Sequence, residues 1–177
     1  MFPNQDFFNR DVLYVAPDLI GKILIRKLDD TTYLRFRITE TEAYRGEEDK
    51  ACHASKGKIP RTEVMYMKAG TIYMYLIYGM YWMLNFVTER EGIPQAVLIR
   101  AVEGYDGPGK LTKAIKIDKN FNKQSIIRNK EILLFDDLYK PELITAPRVG
   151  IDYAGEEWAS KPWRYIDKNL SPFKSKL

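Results

Sequence analysis

Residues 73–85 read YMYLIYGMYWMLN, with four tyrosines and a tryptophan in thirteen positions and no charge. The uncharged run is longer still: Ala69 to Val87 is nineteen residues without Asp, Glu, Lys, Arg or His. How this stretch folds decides what kind of protein this is. As a helix, nineteen residues barely reach across a bilayer. Spanning helices also keep Tyr and Trp at the two interfaces, whereas here the rings run through the whole segment. Thr71, Gly79 and Asn85 dilute it further. Aromatic enrichment around a central glycine fits two strands and a turn. Residues 71–87 are therefore expected to form a hairpin about Gly79, in a protein that does not associate with membranes.

Working outward, YLRFRITETEAY (33–44) is the next clear strand, preceded by GKILIRKL (21–28) and an Asp29-Asp30 turn, a second hairpin signal. Residues 10–20 suit a short helix, with Pro17 and Asp18 in a first turn and Gly21 as the stop. Residues 45–63 are charged and loop-like, with a helical turn expected near Arg61 to Met67. Downstream, QAVLIRAVE (95–103) is a strand, GYDGPG (104–109) a loop and LTKAIKI (111–117) a short helix. Short strands are expected at 131–135 and 147–151, and the chain beyond Trp163 is a basic tail. Strands and helices mixed without βαβ regularity indicate an α+β fold. At 177 residues, without repeats or linkers, the chain is expected to be one domain over 1–177 with a sizeable core.

The net charge of +4 suits an anionic partner. One cysteine excludes an internal disulfide, and with one histidine a standard structural zinc site lacks ligands; neither metal nor cofactor is expected. The opening MFPNQDFFNRDVLY carries acids early and has no long apolar run, unlike a secretory signal. Ser175-Lys176-Leu177 spells a peroxisomal address, but three residues ending a lysine-rich tail match easily by chance. A cytoplasmic location is the expectation.

Candidate chemistry begins on the 33–44 strand. Alternation puts Leu34, Phe36, Ile38, Glu40, Glu42 and Tyr44 on one face, which starts apolar and ends in two carboxylates and a tyrosine. Either a polar strand end emerges from the core, or a carboxylate sits at the edge of an apolar pocket, poised as a general base. His53 is either a hydrogen-bonded structural residue or a functional one. Cys52 beside it points the other way on an extended chain, which argues against a Cys–His dyad. Tyr73 and Tyr75 share a strand face, opposite Met74 and Leu76. They fill a core, or they form a platform for stacking on bases. Tyr78, before Gly79 at the hairpin tip, is placed to wedge between base pairs from the minor groove. Arg100 closes an apolar run, as a surface cap or as a fixed cation. GPGKL (107–111) lacks the full phosphate-loop pattern, so nucleotide binding is not expected.

Taken in order, ETEAY (40–44), the spaced D-x-A-C-H (49–53), PR (60–61), GTIYMYLIYGMYWMLN (70–85), AVLIRAVE (96–103), GPGKL (107–111) and APRVGI (146–151) resemble the alkyladenine, or 3-methyladenine, DNA glycosylase family over residues 8 to 166. The resemblance implies a compact α+β domain with a curved antiparallel sheet, surrounding helices and a protruding β-hairpin. It implies that Tyr78 enters the minor groove in place of an extruded nucleotide. The flipped base would stack between Tyr44 on one side and His53 with Tyr75 on the other. Glu42 would activate water for attack at the sugar C1′, with Arg100 beside that water, and Asn85 would crowd the 2-amino group of guanine. The partner would be double-stranded DNA carrying damaged purines, alkylated or deaminated, and the product an abasic site. Thr62 stands where the family usually has Asn, and only Gly104-Tyr105-Asp106 separate AVLIRAVE from GPGKL, where most members are longer.

Three competing classes stay open on sequence. One is a minor-groove DNA-damage binder without chemistry, against which Glu42 and Arg100 argue. A membrane protein built on residues 69–87 is the second. The third is an RNA-directed activity, since stacking does not distinguish sugars. No segment reads as a dimer interface, so a monomer is expected.

Overall fold

The computed structural model describes residues 1–170, so the Ser175-Lys176-Leu177 tripeptide lies outside the described residues. In chain order the elements are α1 (Gln5–Phe8), α2 (Val12–Leu19), β1 (Ile23–Lys27), β2 (Tyr33–Arg45), β3 (Ile72–Ile77), β4 (Tyr81–Thr88), β5 (Gln95–Val102), α3 (Pro108–Ala114), β6 (Ile132–Phe135), β7 (Leu143–Ala146), α4 (Glu156–Ala159) and β8 (Arg164–Asp167). Short 3-10 turns at His53–Lys56 and Glu63–Tyr66 lie between β2 and β3. The strands form one curved antiparallel sheet in the order β3-β4-β5-β2-β1-β6, with β8 against β2 and β7 against β8. This is an α+β domain, as the sequence pattern predicts. No helix among the described residues is long and apolar enough to cross a membrane.

The aromatic stretch is the hairpin β3–β4, in register from Ile72↔Phe86 to Ile77↔Tyr81. Its inner half is buried: Ile72, Met74, Leu84 and Phe86 join the main core, with Phe86 edge-on to Phe8 at 5.9 Å. Helix α2 covers that core. The Asp11 carboxylate caps it by accepting from Leu13 N–H, and Val12, Val15, Ala16 and Leu19 form its buried stripe. Val12, Val15 and Leu19 each contribute about 1.5–3 kcal/mol when fully buried. Pro17 lies in the last turn of this helix and not in its first. The true first turn is set by the Asp11 cap, a stronger start signal than an isolated proline.

Strand β2 organises everything that follows. Residues 33–37 pair with β1. Glu40, Thr41 and Glu42 pair with β5 on one edge and β8 on the other, so this segment is held on both sides. The ladder is irregular on either side of Glu40. Ile38 therefore packs in the same apolar cluster as Ala43, five residues on, although strict alternation would send the two apart. Thr41 also faces that core, donating to the Ala16 carbonyl of α2 at 2.9 Å. The single face predicted from Leu34 to Tyr44 breaks at this irregularity. Phe36 and Ile38 lie on the core side, while Glu42 and Tyr44 open onto a cavity.

Two other expectations shift. Helix α3 starts at Pro108, three residues before the predicted 111, because proline suits a first helical position. The strand expected at 147–151 is β7 at 143–146, and 147–151 is loop. Pro147 has no N–H for a ladder, Gly150 is left-handed at φ +73°, and the Val149 N–H is used elsewhere.

Candidate active site

A cavity of about 440 Å³ opens where β2, β3, β4 and β5 meet the loop at 149–151. All seven site residues expected from sequence line it: Glu42, Tyr44, His53, Tyr75, Tyr78, Asn85 and Arg100. Four strands, one 3-10 turn and, for Tyr78, the tight β3–β4 turn supply them, so none depends on a long loop for its position.

Glu42 forms the floor, with 1% of its surface exposed. Its Oε1 accepts the Val149 N–H at 2.9 Å and its Oε2 accepts the Tyr44 hydroxyl at 2.8 Å. Arg100 Nε lies 3.4 Å from Oε1. Burial pushes the carboxyl above the usual carboxylate range; Arg100, the Val149 amide, the Tyr44 hydroxyl and Arg164 pull the other way. The result is a desolvated but partnered carboxylate, a stronger base than one in water and still able to ionise. Tyr44 keeps its proton, because burial first and the Glu42 charge second raise its pKa well above the ordinary phenol value.

The walls are aromatic. His53 meets Tyr75 edge-on at 4.5 Å, and its Nδ1 lies 3.0 Å from the Tyr73 hydroxyl. Tyr73 and Tyr75 share a strand face with ring centroids 5.3 Å apart, while Met74 points into the main core. Burial, with the nearby charges of Arg61 and Lys56, lowers the His53 pKa to about 4. At neutral pH this ring is an uncharged imidazole. Cys52 beside it is buried against Val64 and Met65, and burial pushes its thiol up to about 12. It is an inert core residue and not half of a dyad.

Asn85 is 2% exposed and donates from Nδ2 to the carbonyls of Tyr73 and Met83 at 3.1 and 3.2 Å. Its amide is thereby fixed in orientation at the cavity surface. Beyond it the hairpin projects. Tyr78 and Gly79 are both left-handed, at φ +52° and +69°, and the Met80 N–H closes the turn onto the Ile77 carbonyl at 3.1 Å. Tyr78 is 86% exposed and Met80 66%. Just behind the tip, the hairpin is braced by α3, where Gly109 is required: a Cβ there would lie 2.6 Å from the Tyr81 ring.

Two further residues complete the site and were not among those expected. Asp49 and Arg148 form a fully buried fork-to-fork pair, both side chains at 0% exposure. Asp49 also accepts the N–H groups of Arg45 and Ala51 at 3.0 Å, fixing the turn that carries Cys52 and His53. Arg148 donates to the Ala43 carbonyl at 2.9 Å and stacks on the rings of Tyr44 and Trp163 at 4.9 and 5.0 Å. The next residue, Val149, holds Glu42. One ion pair thus ties the His53 turn, the Tyr44 ring and the partner of the Glu42 carboxylate together. Asp49 stands in D-x-A-C-H and Arg148 in APRVGI, but nothing in sequence pairs positions 99 apart. Among the described residues no group of three or more His, Cys, Asp or Glu comes together as a metal cluster.

The family model described as "Methylpurine-DNA glycosylase (MPG)" matches residues 6–106 and 103–171. The two segments meet at the short 104–106 loop. A Methanocella arvoryzae protein named as a 3-methyladenine DNA glycosylase is 45% identical over 192 residues, covering 97% of this chain and 94% of the relative. A protein of that name from Natranaerobius thermophilus is 42% identical, covering 97% and 98%. One from Sodalis glossinidius is 44% identical, covering 92% and 94%.

Proposed function

This chain belongs to the methylpurine-DNA glycosylase family, and from that membership and the cavity's geometry we propose that Glu42 is the base with which it hydrolyses the glycosidic bond of damaged purines. The protein is a DNA-repair glycosylase that acts on alkylated purines in DNA. Its substrates include 3-methyladenine, the base named in its relatives. The observation that supports the Glu42 role is its environment: a buried carboxylate, raised by desolvation yet held by Val149, Tyr44 and Arg100, at the floor of an aromatic cavity.

The reaction runs as follows. Tyr78 enters the minor groove and fills the space of the nucleotide that swings out. Flipping costs less for a lesion that pairs badly, which adds selectivity. The extruded base stacks between Tyr44 and the His53–Tyr75 wall. A purine alkylated at N3 or N7, as in 3-methyladenine, is cationic in the nucleotide, and π faces favour it. Neutral His53 does not repel it. Asn85 crowds the 2-amino group of guanine. Glu42 takes a proton from water beside Arg100, and the water oxygen bonds to C1′. The C1′–N bond breaks and its electron pair neutralises the leaving purine. Because water is the nucleophile, the products are a free base and an abasic site with the strand intact. General-base removal is expected to cost about 10²–10⁴ in rate. All parts of the cavity come from one chain, which supports action as a monomer, and its substrate supports a place on chromosomal DNA in the cytoplasm.

The test is single-turnover base release from methylated duplex DNA and from duplexes with hypoxanthine or ethenoadenine, comparing wild type with Glu42→Gln. Release by wild type alone, with breaks only after alkali and undiminished lesion binding by the variant, is expected. Comparable release by Glu42→Gln, or parallel loss of binding and release, would remove Glu42 from the role of base.

A further inference from the structure

Arg100 is shared between two carboxylates. Its Nε lies 3.4 Å from Glu42 Oε1 and 3.8 Å from Glu40 Oε2. That nitrogen is buried and makes no hydrogen bond to either. Glu40, 6% exposed, lies in turn 3.8 Å from Arg164 Nη1 on β8. Glu42 and Arg100 line the cavity; Glu40 does not. Two carboxylates and two guanidiniums therefore form one cluster, of which Glu42 and Arg100 face the cavity while Glu40 and Arg164 do not line it. The backbone enforces this. Glu40 is paired on both edges, to Ala101 and to Ile166, and the ladder breaks its regular register on either side of it. A second acid next to the proposed base is costly to bury, so its presence requires an account.

We propose that Glu40 is a positioning residue for the hydrolysis: its carboxylate, paired with Arg164, draws the Arg100 guanidinium back from Glu42 and leaves the Glu42 carboxylate free to accept a proton from water. The inference rests on the reading of Glu42 as base. A carboxylate in a full guanidinium fork is a weak base, because the fork stabilises its ionised form. Held at 3.4 Å by the competing acid, Arg100 stays close enough to orient water without quenching the base. The negative charge of Glu40 acts in the same direction, since a like charge disfavours ionisation of its neighbour.

The other groups facing Glu42 are Tyr44 on its own strand, Arg100 on β5, Arg164 on β8 and the Val149 amide, with Tyr75 and Tyr153 further off. Burial raises all three tyrosines, so none of them loses a proton in the acid range. His53, on the cavity wall, also titrates in this range, with its pKa lowered to about 4; its contribution is common to wild type and Glu40→Gln, so the displacement between their acid limbs reports the carboxylates.

The experiment is the pH dependence of single-turnover 3-methyladenine release from methylated duplex DNA, for wild type, Glu40→Gln, Arg164→Gln and Glu42→Gln. Glu40→Gln keeps the shape and removes the charge. Its acid limb should move down by about one pH unit, and its plateau should fall roughly threefold as the base weakens. Arg164→Gln should move the limb the opposite way, because Glu40 then holds Arg100 harder and a cation near Glu42 is gone. If Arg164→Gln does not fold, Glu40→Gln alone decides. A limb that stays in place while the plateau falls makes Glu40 merely structural and overturns the inference, as does a limb that moves up. A Glu42→Gln enzyme that still releases base overturns the Glu42 reading first. A dead Glu42→Gln beside an unmoved Glu40→Gln limb sinks this inference alone.

Discussion

The floor of the cavity and the tip of its hairpin are built on opposite terms, although both belong to one sheet. On the floor, Glu42, Asp49 and Arg148 are at most 5% exposed, and each is tied to more than one partner. β5 and β8 clamp the backbone that carries Glu42. At the tip, Tyr78 is 86% exposed, and nothing lies within 4 Å of a Cβ built on Gly79. Tyr78 also holds φ +52°, a left-handed conformation that costs a bulky residue roughly 1–2 kcal/mol. Buried polar groups over-determine one region, and the other carries strain and bare aromatic surface. Chemistry needs atoms fixed to a fraction of an ångström; a wedge needs a projecting ring that something else will cover. The difference separates the two proposed tasks before any substrate is considered.

The largest expected effect comes from breaking the floor. Asp49→Asn leaves the Arg148 guanidinium buried without its counter-charge, a change that costs about 3–5 kcal/mol. Urea unfolding should show the midpoint falling with an unchanged slope. A substitution at the tip, such as Met80→Ser, should leave the midpoint where it was. Equal effects at the two sites would erase the contrast.

The next effect uses pH. His53 has its pKa lowered from 6.5 to about 4, chiefly by burial. Between those values the unfolded chain binds more protons than the folded one, so the His53 contribution to stability is lost as pH falls from 6.5 toward 4. The shift corresponds to about 3 kcal/mol. Glu42, raised by burial, has the opposite sign: its contribution declines as pH rises through the range above 4.5. The difference between wild type and His53→Gln isolates the histidine. That difference should shrink or reverse below pH 5, because Gln does not titrate. A constant offset from pH 7 to 4 would mean that His53 is solvated in the folded protein.

How much of this was legible follows the range of the interactions. The hairpin was readable because aromatic alternation and Gly79 are local signals. Glu42 and Tyr44 were readable as neighbours because two-residue spacing on a strand shares a face, and their 2.8 Å hydrogen bond follows from it. The irregularity at Glu40 was not readable: it lies in the pairing with β5, on a segment also held by β8, whose residues read as tail in the sequence. The placement of β7 failed for a related reason. VGI looks like strand, but Val149 gives its N–H to Glu42 and not to a ladder. Asp49 and Arg148 stood in the quoted motifs, yet their pairing across 99 residues is a property of the closed fold. The proposed roles of the seven predicted residues came from resemblance, while their meeting in one cavity follows from the folded chain.

The smallest effect is the most discriminating, because stability and function should move in opposite directions. Tyr78→Asn puts a residue that tolerates the left-handed region at the strained position. The ring it removes is 86% exposed and packs little, so few contacts are lost. Thermal unfolding should show a gain of up to about 1 kcal/mol. Binding to lesion duplexes should weaken instead, since the stacking surface of one ring is worth about 1–3 kcal/mol. The loss should be similar for every lesion, because a wedge acts on the space left by the nucleotide and not on the base held in the cavity. A loss confined to one lesion would move Tyr78 from the wedge to the pocket wall. A fall in stability would mean that the tip is held by its own packing, and the contrast between floor and tip would then be one of exposure without strain.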